Sequence, residues 1–205
     1  MGSFSIDVLP NPAHDHDTLL EYSARLKRLR LRALKGDANS FVSKYEHEAD
    51  QPQDFWLNRL KADRVVHLIL TRENEAKPNE TFLQKEWVGF VVISVVRNDE
   101  SSDKATDNLS ADEWNMAAVY IEPEVRGQGL GKRLVRATID YIKGHISTED
   151  NKAAYCLTSV RHGNDNALEL YQRLGFRIVN LNEHMEKDGK EYFMTDLRID
   201  IQGEN

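Results

Sequence analysis

Leu19, Tyr22, Leu26, Leu29 and Ala33 recur at three- and four-residue intervals, the spacing of one buried face of a helix. The positions between them hold Arg25, Lys27, Arg28, Arg30, Arg32 and Lys35, so this helix has a strongly basic side. Upstream, residues 5–9 can form a first strand. Downstream, Gln51-Pro52-Gln53-Asp54 supplies the start of a second helix over residues 55–61. Residues 65–71 and 87–96 are rich in Val and Ile and predict strands. Residues 98–113 are polar and acidic without apolar periodicity, which predicts a flexible loop between strands. Residues 116–121 form a short apolar run that ends before Pro123, a residue unable to donate to a sheet ladder.

A glycine-rich turn leads from that strand into a helix. Leu130, Leu134, Ala137 and Tyr141 make its apolar stripe, widened by Val135, Ile139 and Ile142, and Gly144 is its stop. Residues 154–160 predict another strand. Asn164 or Asp165 then caps a helix whose Ala167, Leu170, Tyr171 and Leu174 share a face and which ends at Gly175-Phe176. Residues 177–181 and 192–199 predict a closing strand pair, joined by a segment containing the turn signal Asp188-Gly189. This order of elements is that of an α/β or α+β sheet protein.

Composition narrows the classes. A chain of 205 residues fits one domain, 1–205, and no internal repeat or Pro/Gly/Ser-rich linker divides it. A net charge of −7 argues against general affinity for nucleic acid or an anionic membrane, and favours a cationic partner. The basic stretch from Arg25 to Lys35 is therefore expected to be the solvated face of its helix rather than a nucleic-acid stripe. No apolar run nears the roughly 20 residues of a membrane span and no signal peptide is visible, so a soluble, cytoplasmic protein is expected. A single cysteine, Cys156, excludes an internal disulfide and a multi-cysteine metal site. Its place in a buried strand argues for packing rather than nucleophilic catalysis. The histidines lack metal spacing, His14-Asp15-His16 reading as a polar turn, so no metal is expected.

The chemistry concentrates at Val119-Tyr120-Ile121-Glu122-Pro123-Glu124-Val125-Arg126-Gly127-Gln128-Gly129-Leu130-Gly131-Lys132. A strand passing through a glycine turn into a helix directs unpaired backbone N–H groups and the positive end of the helix dipole at one point, an anion site suited to phosphate. A dinucleotide fingerprint starting at Gly127 would need glycine where Lys132 stands. A P-loop would need glycine and Ser/Thr where Arg126 and Arg133 stand. The remaining pattern, Arg126-Gly127-Gln128-Gly129-Leu130-Gly131, resembles the R/Q-x-x-G-x-G/A signature of the GNAT N-acetyltransferase superfamily. Asn164, Ala167, Leu170, Tyr171, Gly175 and Phe176 repeat that family's N-x-x-A-x-x-L-Y-x-x-x-G-F pattern.

The resemblance covers residues 114–176. It implies a GNAT-like domain with a mixed, mostly antiparallel sheet flanked by helices, and acetyl-CoA as cosubstrate. It places the pyrophosphate on residues 126–132, the pantetheine arm along Val119, Tyr120 and Ile121 with Asn164 as a further contact, and Tyr171 near the departing sulfur. The activity implied is acetyl transfer to a primary amine, a small amine or polyamine, directly in a ternary complex of a monomer or homodimer. A protein lysine or N-terminal acetyltransferase and a non-catalytic acyl-CoA-binding module are the alternatives. An alkyl amine with a pKa near 10.4 costs about 4 to 5 kcal/mol to deprotonate at pH 7, so a base is required. Glu122 is the first candidate, ahead of Glu124 and His162. Glu46, Glu48, Asp54, Glu183, Glu186 and Asp188 either line an acceptor pocket or merely surround it.

Overall fold

The computed structural model describes residues 3–10, 15–73, 80–96, 112–146 and 154–202. Its elements follow the order β1 (Phe4–Val8), α1 (His16–Gly36), α2 (Tyr45–Ala49), α3 (Gln53–Lys61), β2 (Val65–Arg72), β3 (Glu86–Val96), β4 (Asp112–Ile121), α4 (Leu130–Lys143), β5 (Ala154–Arg161), α5 (Asp165–Arg173), β6 (Arg177–Lys187) and β7 (Lys190–Ile201). Seven strands form one mostly antiparallel sheet in the order β1-β2-β3-β4-β5-β7-β6, with β4 and β5 parallel. This is the fold class that the sequence pattern and the family resemblance predict.

The chain divides into two compact units. One comprises Met1–Val92 with Ala118–Val135, the other Ile93–Ala117 with Arg136–Asn205. The first unit contains α1, whose inward face is the predicted one: Leu19, Tyr22, Leu26, Leu29 and Ala33 are all buried, packed with Leu57, Ile69, Trp87 and Phe90. Asp15 caps α1 by accepting from the backbone N–H of Asp17 and Thr18, so the predicted polar turn is in fact a helix start; His14 lies outside the described residues. The expected solvated basic face needs correction. Arg30 is buried and donates two hydrogen bonds to Glu48 at 3.1 and 2.9 Å, and Arg59 reaches the same carboxylate at 2.9 Å. Burial opposes the charge on Glu48, but these two guanidinium groups win and lower its pKa.

The sequence gives no sign of how closely β3 approaches β4. A Cβ at Gly89 would lie 2.7 Å from the carbonyl oxygen of Tyr120 and 3.2 Å from the Leu70 side chain. The nearest atom is backbone and cannot rotate away. Gly89→Ala is therefore expected to lower stability by about 1 to 3 kcal/mol, read as a reduced urea midpoint at unchanged m-value.

The second unit is built on β5, β7 and β6, which pair antiparallel in that order. Cys156 and Leu197 are buried in it, and Tyr171 of α5 packs against Phe176 at 5.4 Å between ring centroids. The closing hairpin is longer than predicted. Both strands run to a two-residue turn at Asp188-Gly189, and β4 begins at Asp112 rather than at 116. Most of the predicted acidic loop, residues 98–111, lies outside the described residues.

Candidate functional site

The strand-to-helix turn is the geometric centre of the first unit's chemistry. Gly127 and Gly129 have φ of 77° and 75°, a conformation that glycine adopts without penalty, and a Cβ at either would meet nothing within 4 Å. The turn thus exposes bare backbone. The first bond into the helix ladder is from the N–H of Arg133 to Gly129 O at 3.1 Å. The amides of Leu130, Gly131 and Lys132, ahead of it, have no carbonyl to bond within the helix and point outward. Alternate positive-φ glycines before a helix N-terminus make a concave array of N–H groups, and the helix dipole adds partial positive charge. The residues present therefore fit a pyrophosphate.

Arg126 does not reach into that array. Its Nε donates to Ile121 O at 2.8 Å, its Nη2 pairs with Asp37, and its guanidinium lies 5.6 Å from the Tyr120 ring centroid. It braces the turn from behind, so its contribution to an anion comes through the backbone. Gln128 likewise turns back, donating to Val125 O at 3.2 Å.

Glu122 is also not the solvated turn residue that its position after a strand allows. It is buried; its backbone N–H donates to Val88 O at 2.8 Å. One carboxylate oxygen accepts from Arg32, the other from the Tyr120 hydroxyl at 2.8 Å. Burial and this bond to Glu122 hold the Tyr120 phenol far above its usual range, so it stays a donor. Neither Arg32 nor Asp37 is identifiable from the sequence as a partner, since they meet Glu122 and Arg126 only through the packing of α1 and the chain after it.

Beside the turn, Arg25, Arg28, Arg32, Arg72, Glu86, Trp87, Val88, Glu122 and Glu124 line a cleft of about 470 Å³. None of the six acidic residues expected to line or surround an acceptor pocket takes part in it, and Glu48 is held by Arg30 and Arg59. The geometry of β4 adds a feature invisible in the sequence. Its ladder with β5 runs from Asp112↔Ala154 to Asn115↔Leu157 and stops, although both strands continue. At Ala118 the φ is 55°, a conformation rare for alanine, which breaks the regular pleat just beyond the last paired residues. Of the three β4 residues expected along a pantetheine arm, Tyr120 and Ile121 are buried and Val119 is half-buried.

In the second unit, Tyr171 is 5% exposed, and burial pushes its phenol up to about 12, against a hydrogen bond from Thr158. Asn164 caps α5, its side chain accepting from the N–H of Ala167 at 3.3 Å. His162 is tied by its Nε2 to Leu181 O at 2.9 Å and stacks on Phe193, so that nitrogen is not available as a base. Burial pushes Cys156 up to about 12, which makes its thiol inert, as its strand position predicts. Among the described residues no group of three or more His, Cys, Asp or Glu side chains is placed to hold a metal ion. No helix among them is long and apolar enough to cross a membrane.

One buried histidine bears on stability rather than catalysis. Burial, with Arg59's charge, pushes His67 down to about 4 from 6.5. The unfolded chain takes a proton there near pH 6.5 and the folded chain does not, so stability present above pH 6.5 is lost as pH falls toward 4. The expected loss is about 3 kcal/mol. Urea midpoints of the wild type and of His67→Phe, measured from pH 7.5 to 4, should diverge in slope across that window.

Comparison with known proteins gives these features a lineage. The model of the Acetyltransferase (GNAT) family matches residues 32–176. The peptidyl-lysine N-acetyltransferase YjaB of Salmonella typhimurium is 31% identical over 83 residues, 40% of this chain and 49% of that protein, so the match spans about half of that relative's length. The spermine/spermidine N(1)-acetyltransferase of Bacillus subtilis is 25% identical over 121 residues, 59% of this chain and 70% of that protein. The crystal structure of Arabidopsis thaliana NAA60 in complex with acetyl-CoA has the same fold, with a TM-score of 0.63 and 17% identity over 97% of this chain and 99% of that one. With the glycine turn, the interrupted β4–β5 ladder and a family match over most of its length, this chain belongs to the Acetyltransferase (GNAT) family.

Proposed function

We propose that the protein transfers the acetyl group of acetyl-CoA to a primary amine, directly in a ternary complex. The observation that carries this reading is the turn at residues 126–132, bare of side chains at Gly127 and Gly129 and opening a helix N-terminus. Those amides would hold the pyrophosphate, with Val119, Tyr120 and Ile121 along the pantetheine arm. Acetyl-CoA supplies the acetyl group as a thioester. Tyr171 is proposed to donate a hydrogen bond to the departing sulfur. Against a thiol of pKa about 8.5, a phenol at about 12 would give up its proton only at a cost of about 5 kcal/mol. The hydrogen bond therefore strengthens as charge develops on sulfur, without complete transfer.

Glu122 is proposed as the base, directly or through water, its carboxylate held in place by Arg32 and Tyr120. Freeing the amine costs about 4 to 5 kcal/mol at pH 7.

A small amine or polyamine is the proposed acceptor. The net charge of −7 attracts a cation, and one relative carries spermine and spermidine in its name. The test is release of free CoA from acetyl-CoA over a panel of amines beside a panel of lysine and N-terminal peptides. Turnover with spermidine-like amines and not with peptides is expected. Turnover confined to peptides would transfer the reading to a protein acetyltransferase, and none with either would leave a binding module.

A further inference from the structure

We infer that the cleft beside the turn is an oxyanion site built for a phosphate group. Arg25, Arg28 and Arg32 lie three and four residues apart along α1, and Arg72 at the end of β2 joins them around one space of about 470 Å³. A guanidinium carries five N–H donors and no acceptor, and its fork matches phosphate geometry. The carboxylates nearby do not exhaust these donors. Glu21 bonds Arg25 at 2.7 Å and stands 3.6 Å from Arg28, beyond hydrogen-bond distance; Glu86 lies 3.2 Å from Arg72, and Glu122 is shared between Arg32 and Tyr120.

Trp87 lines the same cleft at 5% exposure, with Arg25 5.9 Å from its ring centroid. The four arginines carry more N–H donors than the lining carboxylates Glu86, Glu122 and Glu124 can accept, and a tetrahedral phosphate supplies further acceptors.

The phosphate has two possible sources, a phosphate of a CoA-type cosubstrate held at the adjoining turn, or a separate phosphate. Only the first rests on the proposed acetyl-CoA binding. Calorimetry distinguishes them, with CoA and 3′-dephospho-CoA titrated in parallel and inorganic phosphate titrated into protein with and without saturating CoA. The expected result is either at least a tenfold preference for CoA over 3′-dephospho-CoA, or saturable phosphate binding that persists when CoA is present. Arg28→Gln should abolish whichever signal the wild type gives. Lys61→Gln, exposed on α3, should leave it unchanged and so control for net charge. Thermal melts establish that each variant is folded, and Arg25→Gln replaces Arg28→Gln should the latter fail that check. The inference is overturned if the wild type discriminates neither ligand pair and binds no phosphate, or if the folded arginine variants bind as the wild type does. Phosphate binding by a chain that binds no CoA would overturn the acetyl-CoA reading and leave the oxyanion site standing.

Discussion

Gly129→Asp is expected to weaken acetyl-CoA binding at least a hundredfold, about 3 kcal/mol, while the protein stays folded. Two effects combine. The substitution places a side chain in space that Gly129 leaves open, and adds a negative charge where backbone amides and a helix N-terminus favour a phosphate. Asp is a suitable probe because it tolerates positive φ better than most residues, so the backbone strain at φ 75° stays near 1 kcal/mol or less. Nothing within 4 Å would be displaced by its Cβ. Isothermal titration with acetyl-CoA reads the affinity, and thermal unfolding reads the fold. Unchanged affinity in a folded Gly129→Asp variant would place the pyrophosphate elsewhere. Gly127→Asp, on the same turn, should behave alike but less severely, since Gly127 stands farther from the helix start.

The turn was legible because it is written locally: glycine spacing, a preceding strand and a following helix all lie within about 15 residues. The helices of the first unit were legible for a related reason, since the apolar repeat of α1 survives whatever packs against it. What the sequence does not carry is pairing across long separations. Arg30 and Glu48 are 18 residues apart, Arg32 and Glu122 are 90 apart, and neither pairing shows until the fold joins them. The five-residue α2 is too short to display a period, and it is this helix that delivers Glu48. β6 offered no alternation either, because nearly every residue in it is exposed, so its strand character rests on the ladder to β7 and not on a buried face. Backbone conformation was the least legible of all. Ala118 at φ 55° carries no glycine or asparagine signal, yet it sits where β4 parts from its regular pairing.

Charge alone does not mark solvent in this fold: Glu122, Arg30 and Glu48 are buried because a partner and hydrogen bonds offset their desolvation. The basic face of α1 therefore does three separate things. Arg30 locks α2 and α3 through Glu48, Arg32 holds Glu122, and Arg25 and Arg28 face the cleft. Substituting these arginines as a block would confuse fold, site and ligand effects, and single changes are needed to separate them.

Tyr171→Phe is the change that best separates chemistry from packing. The phenyl ring keeps the contact with Phe176 and the buried volume, and only the hydroxyl that bonds Thr158 is lost. Stability should fall by about 1 kcal/mol, the net worth of one such bond. If the hydroxyl assists the departing sulfur, kcat should fall by ten- to a thousandfold with acetyl-CoA affinity unchanged, because the bond it donates is strongest when charge has developed on sulfur. The pH profile provides a further check. With the phenol at about 12, Tyr171 stays protonated throughout the working range, so its removal should lower the whole curve without moving either limb. A shifted limb would mean that Tyr171 titrates during turnover, which its burial opposes. Full kcat in the Phe variant, measured under single-turnover conditions where transfer limits the rate, would reduce Tyr171 to a core residue. The sulfur would then depart on the strength of its own acidity, as a thiolate of pKa near 8.5 can.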